Sequence, residues 1–126
     1  MCFKISEKHP NLKIANKDIV CYKRFGTNYV STVGYYKKYF IWWGSRNKSE
    51  TIHKKTKLGI PNAFNDIHEG FHSYSNKKGL RRNNYNCYEC LIPKGSEYYY
   101  NPKQMTYVSN ELIVLKNKNV NIRIYL

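Results

Sequence analysis

The sequence predicts a small α+β protein: a mixed, mainly antiparallel sheet with one or two short helices. Three patterns carry that expectation. Asp18-Ile19-Val20-Cys21-Tyr22-Lys23-Arg24-Phe25 is a β-branched and aromatic run closed by Gly26. Val120, Ile122, Ile124 and Leu126 alternate strictly, as in a strand with one buried face. Ile60, Ala63, Phe64, Ile67 and Phe71 recur at the spacing of one helix face, with Pro61 suited to the first turn. At 126 residues the chain is expected to form a single domain, 1–126, with room for one hydrophobic core.

Taken in order, residues 1–17 mix charge with Pro10 and Asn and read as an irregular N-terminal arm. After the strand at 18–25, an extended region is expected from Tyr29 to Val33, then an aromatic strand from Tyr35 to Trp43, ended by Gly44-Ser45. The polar, basic stretch from Ser45 to Gly59 reads as a loop. The helix from Pro61 is expected to end at Gly70, because glycine inside a helix costs roughly 1 kcal/mol but supplies the backbone a helix end needs. Phe71 to Ser75 then runs extended. Ser75 to Asn84 has the cap for a short helix, weakened by Gly79. Asn86 to Pro93 reads as a strand, Lys94-Gly95 as a turn, and Ser96 to Tyr100 as the returning strand. Glu111 to Leu115, a turn through Asn117-Lys118-Asn119, and residues 120–126 read as a hairpin.

His68, Glu69 and His72 spell H-E-x-x-H, which on an unbroken helix would place two zinc ligands and a base on one face. A helix ending at Gly70 separates them. A zinc hydrolase also needs a third ligand, and neither Glu89 nor Glu97 is marked as one. The expectation is therefore no catalytic residue, no cofactor and no metal, with a small zinc-dependent hydrolase using His68 and His72 as the alternative. Cys87-x-x-Cys90 adds little, since residues three apart on a strand point to opposite faces.

Charge is the strongest compositional signal: 22 Lys and Arg against 8 Asp and Glu give +14. Such an excess favours anionic partners, either nucleic acid or an acidic protein surface. It excludes an acidic mimic of DNA, and the scarcity of Asp argues against a two-metal nuclease. Seventeen of the basic residues are Lys, which grips phosphate as a point charge rather than reading bases. Fifteen Asn beside them are also what AT-rich coding produces, so the charge has two available origins. From Tyr35 to Lys57, seven basic residues interleave with six aromatics, the composition of a single-strand binding surface. The candidate contacts are Lys37, Lys38, Trp42, Trp43, Arg46, Lys48, Lys54, Lys55 and Lys57, with a second cluster at Lys77, Lys78, Arg81 and Arg82. Aromatics in a strand also serve as core, with lysines extending past them to water.

No apolar run approaches the ~20 residues of a membrane span, and the N-terminus has no signal core. No membrane partner is expected. The four cysteines, at 2, 21, 87 and 90, read as reduced thiols.

Several short motifs carry a resemblance. Tyr22-Lys23, Gly70-Phe71-His72-Ser73-Tyr74, Glu89-Cys90-Leu91-Ile92-Pro93-Lys94-Gly95-Ser96-Glu97-Tyr98-Tyr99 and Tyr107-Val108-Ser109-Asn110 resemble a family of small uncharacterised proteins encoded by phages, large DNA viruses and mobile elements. The resemblance covers about half the chain as scattered motifs, and leaves His68 outside them. It implies a non-enzymatic viral accessory or virion-associated protein, in the virion or host cytoplasm, with other virion proteins among its partners. It brings no activity or catalytic residue with it.

Overall fold

The computed structural model describes residues 3–24, 30–32, 40–42, 51–77 and 87–119. Within them the chain forms twelve strands: β1 (Phe3–Lys4), β2 (Lys13–Ile14), β3 (Ile19–Arg24), β4 (Val30–Thr32), β5 (Phe40–Trp42), β6 (Thr51–Lys55), β7 (Asp66–Ile67), β8 (Phe71–Tyr74), β9 (Cys87–Ile92), β10 (Glu97–Asn101), β11 (Thr106–Ser109) and β12 (Glu111–Asn119). Eight form one antiparallel sheet in the order β2-β10-β11-β8-β3-β9-β12-β6, while β1 pairs with β7 and β4 with β5. The expected α+β class is thereby corrected. Among the described residues the protein is β throughout, with no α-helix.

The large sheet is folded over on itself. β11 and β12 are separated by Asn110 alone, yet stand four places apart in the sheet order. In a flat sheet four steps would span about 19 Å, and a one-residue link reaches roughly 7 Å. The sheet therefore closes into a sandwich of two four-stranded halves, β2-β10-β11-β8 and β3-β9-β12-β6. At one corner the halves share, among the described residues, a single register pair, Tyr22 with Tyr74. At the other the chain crosses through Asn110. Its main-chain N–H donates to the Glu97 carbonyl (3.1 Å), its carbonyl accepts from Thr56 (2.8 Å), and its side-chain oxygen accepts from the Glu97 N–H (3.0 Å).

The inner face follows from register. Cys21 stands opposite Cys90, Ile19 opposite Ile92, Val114 opposite Cys90 and Ile52. Cys21, Cys90, Ile92, Val114 and Ile52, with Ala15, Phe71, Tyr88 and Leu112, form the main core, and Ile19, Tyr98 and Tyr107 pack against it. On the outer face, the β1–β7 pair covers part of the first half, where Phe3, Ile67 and Val108 make a second buried cluster. The N-terminal arm thus contributes two short strands and the buried side chains of Phe3 and Ala15.

The helix expected from Pro61 is replaced by a turn and the short strand β7. Asn62 accounts for this, because its side-chain oxygen accepts from the N–H groups of Phe64 (2.8 Å) and Asp66 (3.0 Å), an arrangement that competes with helix formation. Asn65 follows at φ 60°. The helical spacing was a coincidence of destinations: Phe71 enters the main core, Ile67 the outer cluster, and Ile60 and Phe64 stay in solvent. Gly70 lies at φ +141° rather than in a helix cap. A Cβ there would stand 2.6 Å from Val108 Cγ2 and 2.9 Å from Leu58 Cδ1, so only glycine lets β8 enter beneath those side chains.

The expected strands at 18–25, 71–75, 86–93 and 96–100 correspond to β3, β8, β9 and β10. Two further expectations change. The loop at 45–59 contains β6, and the turn placed at Asn117-Lys118-Asn119 is strand, since β12 runs through it with its register against β9 shifting between Val114 and Asn119. Residues 120–126, and the short helix expected after Ser75 from position 78 onward, lie outside the described residues.

Candidate nucleic-acid interface

Of the candidate contacts, Lys37, Lys38, Trp43, Arg46, Lys48, Lys78, Arg81 and Arg82 lie outside the described residues. Trp42 ends β5, in register with Val30. Lys54 is partly buried where β6 pairs with Leu112 of β12. Lys55 is exposed, with its ammonium 3.5 Å from Glu111 Oε1, and Lys57 is exposed beyond the end of the strand. Lys77 places its ammonium 5.9 Å from the centre of the Tyr22 ring. The structure therefore brings Lys54, Lys55 and Lys57 together along one sheet edge and holds Lys77 apart from them.

A second cationic site comes from residues the sequence did not single out. Between β1, the 62–65 turn and the turn joining β10 to β11 lies a groove of about 590 Å³, with Lys4, Lys8, Lys103, Glu7 and Phe64 among its walls. Each wall is fixed by main-chain hydrogen bonds. Asn101, buried at the end of β10, donates to the Lys4 carbonyl (2.7 Å) and accepts from the N–H groups of Lys103 (3.0 Å) and Gln104 (3.2 Å). The Ile5 N–H donates to the Asn65 carbonyl (2.8 Å), tying β1 to the 62–65 turn. Lys4 Nζ donates to the Phe64 carbonyl (3.3 Å) and lies 3.6 Å from Asp66. Lys8 and Lys103 are exposed, and Phe64 presents its ring at 75 % exposure. Sequence patterning could not find this site, since its residues come from three segments far apart in the chain.

The H-E-x-x-H letters do not form a metal centre here. His68 and Glu69 lie in the link between β7 and β8, and His72 in β8. His72 directs Nε2 to the His68 carbonyl (3.2 Å), which assigns the ring proton to that nitrogen. Burial, aided by the nearby Lys23 ammonium, lowers the His72 pKa to about 4. The zinc-hydrolase alternative needed a shared helix face, and that helix is absent. Among the described residues no cluster of three His, Cys, Asp or Glu side chains is placed to hold a metal.

Inside the sandwich, burial pushes the Cys21 thiol up to about 12, and pushes Cys90 well above its ordinary value. Both are protonated packing groups rather than nucleophiles. No described helix is long and apolar enough to cross a membrane.

The fold and its charge define a sandwich-like antiparallel β protein with a cationic exterior. No protein-family profile, curated protein or solved structure matches the chain.

Proposed function

We propose that this protein binds nucleic acid through its phosphate backbone, with preference for single strands and little for sequence. One observation carries the reading: basic residues outnumber acidic ones 22 to 8, and several of those acids are held by neighbours within the fold. Asp18 accepts from the Lys94 N–H (2.9 Å), Asp66 lies beside Lys4, Glu97 accepts from the Asn110 side chain (3.3 Å), and Glu111 takes His53, Lys55 and Ser96. Half of the eight acids are so held, and the surplus that gives +14 is mostly lysine. Lysine point charges favour phosphate over base edges, which supports sequence tolerance. The resemblance of its short motifs to small proteins of phages, large DNA viruses and mobile elements extends this proposal to a viral accessory or virion-associated role.

Fluorescence anisotropy with a labelled oligothymidylate of about 20 nucleotides tests the binding. The expected result is tight association at low salt, with log K falling linearly against log salt at roughly 0.7 per phosphate contacted. Absence of binding at low salt removes the proposal.

A further inference from the structure

We infer that the groove between β1, the 62–65 turn and the β10–β11 turn seats one nucleotide of a bound single strand, with its base stacked on Phe64 and its flanking phosphates held by Lys8 and Lys103. The inference rests on the nucleic-acid reading above and gives it a place.

Four observations converge on this groove. The first is size: about 590 Å³ falls within the ~300–1,000 Å³ range of ligand sites and admits a base with its sugar. The second is the ring. A single exposed apolar side chain is ordinary on a protein surface, but Phe64 stands on a turn whose N–H groups are held by Asn62 and whose carbonyl is held by Lys4. Its backbone is preorganised, so stacking has only the ring's own rotation left to order.

The third is charge placement. Lys4 is committed to Asp66 and the Phe64 carbonyl, fixing the floor, while Lys8 and Lys103 are exposed on the flanks. Glu7, also in the wall, repels phosphate from its own position and thereby biases the strand toward the two lysines. The fourth is backbone rigidity. The Lys103 side rides on a turn capped by Asn101, and the Lys8 side on a bend whose N–H donates to Ser6 Oγ (3.3 Å). Stacking on a ring is indifferent to base identity, which matches a lysine-rich, sequence-tolerant binder.

Four proteins decide the matter: wild type, Phe64→Ala, Phe64→Trp and the double variant Lys8→Gln/Lys103→Gln, each titrated with the labelled oligothymidylate and with heparin across a salt series. Phe64 is exposed, so its replacement leaves the fold intact, which circular dichroism checks. Phe64→Ala is expected to weaken oligonucleotide binding about tenfold with an unchanged salt slope and unchanged heparin affinity. The double variant is expected to lower the slope by roughly 1.4 for the two phosphates lost. Phe64→Trp is expected to restore affinity, with its fluorescence quenched on binding. If wild type binds and Phe64→Ala binds equally well, or loses heparin affinity to the same degree, the stacking site is overturned while the nucleic-acid reading stands. If wild type fails to bind at low salt, both fall.

Discussion

Lys23 donates from Nζ to the main-chain carbonyl of His72 at 2.6 Å, across from β3 to β8 and with only 4 % of the residue exposed. It is a cation placed where the two halves of the sandwich share the Tyr22–Tyr74 register pair, and it supplies a bond the sheet ladder does not. Lys23→Met keeps the apolar stem and removes the charge. Urea denaturation should show a loss of about 1–3 kcal/mol, because a partly buried carbonyl loses its donor. The same variant should raise the His72 pKa toward its ordinary value, since the Lys23 ammonium helps lower it. Histidine NMR titration checks that shift.

His72 also makes stability depend on pH with a definite sign. Its pKa is about 4 in the folded protein and 6.5 when unperturbed, so between those values the unfolded chain binds the proton and the folded one does not. Stability therefore holds above pH 6.5, falls as pH drops toward 4, and gains no further penalty from this ring below that. The ring retains some solvent contact, so the loss is on the order of 2 kcal/mol. Denaturation of wild type and His72→Gln at pH 7 and pH 4 should show the difference shrinking by that amount in the variant.

Gly70→Ala should be among the most damaging single-methyl changes in the chain. The new Cβ meets Val108 and Leu58 at 2.6 and 2.9 Å, and φ +141° is strained for any L side chain. A loss of about 3 kcal/mol is expected from strain and overpacking together, read as a lower urea midpoint with unchanged slope.

Cys21 and Cys90 should resist alkylation in the native state. Both are fully buried, and burial holds both as thiols. Site-resolved mass spectrometry with iodoacetamide should show modification more than about 100-fold slower than in denaturant, at a rate that follows global opening. Fast labelling of either in folded protein would contradict the buried register pair.

Much of the sheet was legible in the residues. β3, β8, β9 and β10 are short β-branched or aromatic runs bounded by turn formers, and each was expected within a residue or two of its place. β6 was not, because Ile52 is its one apolar residue and an edge strand with a single inward side carries too little alternation to register. The helix at Pro61 shows the opposite error. Five apolar positions matched a helical period, but they serve two separate cores and the solvent, and the deciding interaction is the capture of two N–H groups by Asn62. The total charge was plain from composition. Its localisation was not, since the groove at Phe64 draws lysines from segments on either side of it in the chain and assembles only once β1, β7 and β10 are placed.

The crossing at Asn110 ties one continuous run of backbone into both layers, so neither layer has an independent existence. Peeling β11 from its neighbours pulls on β12, and the reverse, so the two layers are expected to open together rather than leaf by leaf. Amide exchange in the two layers should accordingly report one common opening energy, and the assembly of either must wait for the other.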